Sequence, residues 1–105
     1  MAKAPRKVRQ RAKRDANHND LVKVFEALGA SWFDTSQLPG ELDGVVGVAG
    51  IDQRVEIKNG NNIPSKRKLT SEEADTFTEW RGRRPVVVES EEDAIILVNR
   101  LRKGG

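Results

Sequence analysis

Two side chains of opposite charge, Glu56 and Lys58, lie within a stretch that otherwise has the pattern of a β-strand, R-V-E-I-K-N-G at residues 54–60. Side chains alternate between the two faces of a strand, so Val55 and Ile57 share one face while Glu56 and Lys58 share the other. A carboxylate and an ammonium group on one face, next to an Asn-Gly turn, suggest phosphate chemistry if a second carboxylate joins them.

The preceding segment supplies that carboxylate. Residues 44–49 (G-V-V-G-V-A) form an apolar run that predicts a buried strand. Residues 50–53 predict a tight connection to a second strand over residues 54–58, so the two strands form a hairpin. The start of the first strand then lies opposite the end of the second strand. Asp43 is therefore expected to approach the Glu-x-Lys sequence.

These residues make a candidate metal site with oxygen ligands. Asp43, Glu56 and the backbone carbonyl of Ile57 can hold Mg²⁺ or Mn²⁺, with water in the remaining positions. Such an ion polarises a phosphodiester and lowers the pKa of bound water. Lys58 would orient that water or stabilise charge that develops on the phosphate. Glu41 is an alternative to Asp43, because residues two apart on an extended segment face the same way.

Composition narrows the class of protein. The chain has 105 residues, which suits a single domain, and it has no cysteine and one histidine. Disulfides and thiolate metal sites are excluded, and a histidine-rich zinc centre is disfavoured. The sequence shows neither a membrane-spanning apolar segment nor a secretory signal, so we expect a cytoplasmic protein, or one in the host cytoplasm if it is phage-encoded.

Charge divides the chain into two parts. Residues 1–14 contain seven Lys/Arg and no acid, whereas the remainder contains twelve Lys/Arg and sixteen Asp/Glu. This composition predicts a disordered basic arm over residues 1–14 and one folded domain over residues 15–105. The arm is either a polyanion-binding segment or a solubility tail, and its arginines favour phosphate binding.

Periodicity predicts the remaining elements. An apolar stripe predicts a helix over residues 16–28, and short strands are expected at residues 31–33 and 85–88. A second helix should begin at Thr70, with Glu73 completing a capping box, and a third should follow a cap at Ser90. The order α, β, β, β, α, β, α indicates an α/β domain with a mixed sheet that needs helices on both faces.

The ordered motifs resemble a known superfamily. Leu42-Asp43 followed by E-I-K at residues 56–58 resembles the PD-(D/E)XK nucleases, with leucine where proline is usual. Five segments together resemble the small phage-type nucleases related to Holliday-junction resolvases and the VRR-NUC group: D-A-N-H-N-D-L-V, L-D-G-V-V-G, V-E-I-K-N-G, P-S-K-R-K-L-T and V-V-V-E-S-E-E-D-A. The resemblance covers residues 15–98 and implies a restriction-endonuclease-like αβββαβ core, here followed by a C-terminal helix.

This resemblance also implies site residues and partners. Asp20 lies where the family places a helical acid of the metal site, either as a ligand or as a cap. Glu72 or Glu73 would take the place of a polar residue on the helix after the Glu-x-Lys strand. His18 is expected to hydrogen-bond at the start of the first helix rather than to act in catalysis. The implied activity is cleavage of branched or structured DNA by a homodimer.

Basic and polar residues outside the metal site are candidates for DNA contacts. Backbone phosphates are bound by Lys, Arg, Asn and Ser side chains and by backbone N–H groups. The candidates are Ser65, Lys66, Arg67, Lys68, Asn59 and Asn61 in one loop, and Arg6, Lys7, Arg9, Arg11, Lys13 and Arg14 in the arm. Trp32 and Trp80 are expected to be core or dimer contacts. The alternative functions are a DNA-binding protein without catalysis and a partner-dependent subunit of a phage replication, recombination or packaging machine.

Overall fold

The computed structural model describes residues 16–105, and the basic arm predicted over residues 1–14 lies outside the described residues. The described elements are α1 (His18–Ala27), β1 (Ser31–Asp34), β2 (Gly44–Val48), β3 (Ile51–Ile57), a 3-10 turn (Pro64–Lys66), α2 (Ser71–Glu79), β4 (Val86–Val88) and α3 (Glu91–Arg102). The predicted order of helices and strands is confirmed. Within residues 16–105, none of the helices has the length and apolar character needed to cross a membrane.

The four strands form one mixed sheet in the order β1-β2-β3-β4. β1 and β2 pair antiparallel, β2 and β3 pair antiparallel, and β3 and β4 pair parallel. Parallel neighbours need a long crossover connection, and α2 lies within that connection. The predicted mixed strand direction is therefore confirmed.

The β2–β3 hairpin turns earlier than its sequence predicts. Val48 pairs with Ile51, so the turn consists of Ala49 and Gly50, and the predicted connection over residues 50–53 is wrong. Both turn residues have positive φ, 55° and 79°, as a tight two-residue hairpin turn requires. β3 thus includes Gln53, a polar residue that interrupts the apolar alternation but is 1% exposed.

One face of the sheet carries the main hydrophobic core. Directly paired residues share a face, so Val46 and Gln53 face the same side as Val55 and Ile57. Helices α1 and α3 pack against each other and against this sheet. The core cluster comprises Leu21, Phe25, Ala30, Val46, Val55, Ile57, Val88, Ala94, Leu97, Val98 and Leu101. All four buried residues of α3 belong to this cluster.

The opposite face carries α2, which is held mainly by polar side chains. α2 has no buried residue. Near its N-terminus Glu73 contacts Lys58, and at its C-terminal end the ring of Trp80 lies 4.3 Å from the Arg54 guanidinium. Arg54 and Lys58 stand on the face opposite Val55, so α2 covers that face, as predicted from the need for helices on both sides. Trp80 is 50% exposed and is therefore not a core residue.

The other tryptophan belongs to the core side. Trp32 stacks on Phe25 with ring centroids 5.7 Å apart and an interplanar angle of 5°. The Trp32 and His18 rings also meet in a T-shaped arrangement, with centroids 5.8 Å apart and an interplanar angle of 83°. Trp32 thus fixes β1 against α1, as one of its two predicted roles requires.

Candidate functional site

The structure brings Asp43 to the end of β3. Asp43 Oδ2 accepts a hydrogen bond from the backbone N–H of Ile57 at 2.8 Å. The segment before β2 is held by Thr35, whose N–H donates to the Asp43 carbonyl at 2.9 Å and whose hydroxyl donates to the Leu42 carbonyl at 2.6 Å. Leu42 is 1% exposed, so its burial anchors the neighbouring acid. The carboxylate is therefore fixed beside the Glu-x-Lys sequence.

Three further ionisable side chains meet on the α2 face of β3. The Lys58 ammonium lies 3.4 Å from Glu56 Oε2 and 3.0 Å from Glu73 Oε1. Glu56 is 5% exposed and Lys58 is 8% exposed, although buried charged residues are uncommon unless they are paired. We call Asp43, Glu56, Lys58 and Glu73 the carboxylate–lysine cluster. Of the two glutamates expected on the middle helix, Glu73 reaches this cluster, and it also forms the predicted capping box with Thr70.

Burial and charge crowding determine where protons lie in the cluster. Burial raises the pKa of Glu56, and the neighbouring Glu73 and Asp43 carboxylates raise it further. Burial alone would also raise the pKa of Glu73, but hydrogen bonds from Glu56, the Thr70 N–H and Lys58 lower it. Burial opposes the charge of Lys58, yet Glu73 and Glu56 hold its pKa above the ordinary value. Glu56 is thus a neutral acid that donates a hydrogen bond to ionised Glu73.

The cluster has the right chemistry for a hard divalent cation. Asp43 directly precedes β2 and Glu56 lies in the adjacent strand β3. The negative charge of Asp43 contributes to the raised pKa of Glu56, so a cation that replaces the Glu56 proton would relieve the crowding. Within residues 16–105, no group of three or more His, Cys, Asp or Glu side chains is arranged to hold a metal ion as it stands. Mg²⁺ usually retains several waters and needs only one or two carboxylates. Asp43 and Glu56 are the two carboxylates of the cluster that could serve as such ligands.

Two other predicted acids lie away from the cluster. Asp20 is exposed and lines a cleft with Asn17, Asn59 and residues around the start of α3, and the walls of that cleft do not include Asp43, Glu56 or Lys58. The Glu41 carboxylate pairs with the Arg54 guanidinium. Of the two alternatives at the start of β2, Asp43 is therefore the one beside Ile57.

The loop after β3 presents some of its predicted DNA-binding residues to solvent. Ser65, Lys66 and Lys68 are exposed, and the 3-10 turn places them just beyond the end of β3. These three side chains are available to contact phosphates. The predicted contacts Arg6, Lys7, Arg9, Arg11, Lys13 and Arg14 lie outside the described residues.

The other loop residues are partly used within the fold. Arg67 donates from Nε to the Asn62 carbonyl at 2.9 Å and lies 3.4 Å from Glu89 Oε1 through one terminal nitrogen. Asn59 Oδ1 accepts a hydrogen bond from the Asn61 N–H at 2.9 Å. Both contacts order the loop, so Arg67 and Asn59 support its shape.

The structure also places residues near the cluster that the sequence did not assign to it. His18 is 2% exposed, and its Nε2 lies 3.2 Å from Asp34 Oδ2 while its Nδ1 lies 4.0 Å from Asp43 Oδ1. Asn17 Nδ2 donates to the Lys58 carbonyl at 3.2 Å. The only sequence signal for these two residues is their position as adjacent polar residues at the start of an apolar stripe. That signal indicates the start of a helix and not a place near the cluster.

Comparison with known proteins does not assign this protein to a family. Searches against protein-family models, curated proteins and solved structures each gave no significant match.

Proposed function

We propose that this protein is a divalent-metal-dependent endodeoxyribonuclease that hydrolyses phosphodiester bonds. The observation that carries the proposal is that Asp43, just before β2, is hydrogen-bonded to the Ile57 N–H and acts electrostatically on Glu56, whose side chain lies beside Lys58 at the end of β3. Burying several carboxylates together destabilises a fold unless a positive charge or a proton compensates for them. A bound cation would offset the repulsion between these carboxylates, and the cation would in turn attract a phosphate.

The side chains would divide the work as follows. Asp43 and Glu56, with the Ile57 carbonyl, would hold Mg²⁺ or Mn²⁺, and a bound ion would polarise the phosphodiester and make hydroxide available near neutral pH. As a ligand, Glu56 would be ionised, with its proton released to solvent. Glu73, whose Oε1 lies 3.0 Å from Lys58 Nζ, would hold that ammonium in the cluster. Lys58 would then orient the attacking water or stabilise charge on the phosphate.

The fold and surface support the same proposal. The observed element order and the β2–β3 hairpin, with an acid at its open end, are those expected of a restriction-endonuclease-like core. Lys66 and Lys68 lie exposed on the loop that leaves the cluster, where they would contact phosphates. Asp20, exposed on α1, would join the metal site only after a rearrangement. A homodimer would allow two symmetric cuts in branched DNA, in the cytoplasm.

A DNA-binding subunit without independent catalysis is the second candidate. Lys58 already pairs with ionised Glu73 and lies 3.4 Å from Glu56 Oε2, and neutral Glu56 donates a hydrogen bond to Glu73. This arrangement is satisfied internally without a cation. A subunit that cleaves only when a partner rearranges α2, or that does not cleave at all, would retain the same contacts.

Cleavage of a labelled four-way junction and a matched linear duplex, each with Mg²⁺, Mn²⁺ or EDTA, tests the proposal. Glu56→Gln keeps the shape and the hydrogen bond to Glu73 but removes the ligand charge, and Lys58→Ala removes the ammonium. We expect each variant to lower the cleavage rate by about 100-fold or more while DNA binding is retained.

The matched control is Asp52→Asn, which removes an exposed carboxylate from the same strand, β3, at the end away from the cluster. It should cleave as the wild type does. Full activity of Glu56→Gln or Lys58→Ala would refute the site. DNA binding by the wild type without cleavage in any metal would favour the second candidate.

A further inference from the structure

The imidazole of His18 lies between two carboxylates, Asp34 at the end of β1 and Asp43 just before β2. Nε2 lies 3.2 Å from Asp34 Oδ2 and Nδ1 lies 4.0 Å from Asp43 Oδ1. The ring is 2% exposed and its position is fixed edge-on against Trp32. A buried histidine with one hydrogen bond would be an ordinary core residue, but in this fold both ring nitrogens face acids.

Asp34 is itself held firmly. Its carboxylate accepts hydrogen bonds from Trp32 Nε1 at 3.1 Å, from the Ser36 N–H at 3.0 Å and from the Ser36 hydroxyl at 2.5 Å. His18 is therefore held by Asp34 at one nitrogen and directs the other toward Asp43. The other carboxylate oxygen of Asp43, Oδ2, accepts a hydrogen bond from the Ile57 N–H.

We infer that His18 is a positioning residue, which acts through its Nδ1 side to orient the Asp43 carboxylate for a divalent cation. The inference rests on the proposed function, because it assigns Asp43 as a ligand. Groups that hold a metal-ligating carboxylate tune the affinity of the site without touching the metal, typically by 10–100-fold. His18 and the side chains of Asp34 and Trp32 would have that effect in this protein.

Two amide substitutions separate positioning from packing. The amide of His18→Asn lies near the place of Nδ1, on the Asp43 side, whereas the amide of His18→Gln reaches the place of Nε2, on the Asp34 side. If His18 orients Asp43, His18→Asn should keep most of the affinity for Mn²⁺, and His18→Gln and His18→Ala should lose it by about tenfold. If His18 serves only to satisfy Asp34, the affinity for Mn²⁺ should be the same in all three variants as in the wild type.

The measurement is the Kd for Mn²⁺ in the absence of DNA. Electron paramagnetic resonance gives it, because the signal of free Mn²⁺ falls as the ion binds. Only variants whose circular dichroism spectrum matches that of the wild type are compared. Asp34→Asn loosens His18 without altering it and should also weaken Mn²⁺ binding, which keeps the test open if the His18 variants fail to fold. Leu97→Ala, in the core of α3 and 3% exposed, is a control for lost stability alone and should bind Mn²⁺ normally.

Each outcome distinguishes this inference from the proposed function. Wild-type Mn²⁺ binding that is unchanged in His18→Gln, or lost only in His18→Asn, would overturn the positioning role and leave the nuclease proposal standing. No Mn²⁺ binding by the wild type at millimolar concentration would refute the metal site itself, and the positioning role with it.

Discussion

Single residues set how the fold responds to pH, and Asp34 is a clear case. Burial works to raise its pKa, but hydrogen bonds from Ser36, Trp32 and His18 outweigh that effect and lower the pKa from 3.8 to about 2. A carboxyl group whose pKa is lower in the folded state than in the unfolded state stabilises the fold above its unfolded pKa. That stabilisation is lost as the pH falls from about 4 to about 2.

Asp34→Asn should therefore destabilise the protein at neutral pH but not in acid. We expect the free energy of unfolding to fall by about 1 kcal/mol at pH 6, a value reduced for solvent screening because the side chain is 31% exposed. The difference from wild type should shrink toward zero near pH 2. Urea unfolding at several pH values measures it, with Asp52→Asn as control. A difference that stays constant down to pH 2 would show that ionisation of Asp34 is not the source of the stabilisation.

At the scale of secondary-structure elements, the turn of the β2–β3 hairpin contains a residue in an unfavourable backbone conformation. Ala49 has φ 55°, a conformation that costs a residue with a Cβ about 1 kcal/mol and that Asn tolerates better. Ala49→Asn should raise the free energy of unfolding by about 0.5–1 kcal/mol, whereas Ala49→Val should lower it. Thermal unfolding of the two variants decides the matter. Equal stability of Ala49→Asn and wild type would mean that the turn has another geometry.

Local signals predicted the helices well because a cap or a stripe is decided by neighbouring residues. Thr70 with Glu73, and Ser90 with Asp93, form the expected caps. The turn of the hairpin was placed too late because Gln53 interrupts the apolar alternation of β3, and its burial depends on a hydrogen bond to the distant Arg84 carbonyl at 2.9 Å. A sequence pattern does not contain that partner.

The candidate site was predictable where it depended on strand pairing and not where it depended on tertiary packing. Any antiparallel hairpin places the start of one strand opposite the end of the next. The predicted position of Asp43, beside Ile57, is therefore correct although the predicted turn is wrong. The second contact of Glu73, on Lys58, needs α2 to lie over the sheet. The burial of His18 needs β1 to lie beside α1, a relation that periodicity does not encode.

At the scale of the whole molecule, opposite charges are separated along the chain. The seven Lys/Arg of residues 1–14 precede a domain in which acids outnumber Lys/Arg by sixteen to twelve. Each Lys or Arg that neutralises a DNA phosphate adds about 0.9 to the steepness of the dependence of log K on log salt. If the domain binds DNA mainly through the arm, most of that steepness should come from residues 1–14.

Replacing residues 1–14 with a Gly/Ser segment of equal length tests this division. We expect weaker DNA binding and a salt dependence that is shallower by up to about 6 in slope, because seven cations are lost. The matched comparison is Lys66→Ala with Lys68→Ala, which removes two exposed cations and should reduce the slope by about 2. Both slopes are obtained from the fluorescence anisotropy of a labelled duplex, measured at salt concentrations from about 50 to about 200 mM. An unchanged slope without the arm would identify it as a solubility tail and would leave the loop after β3 as the principal DNA contact.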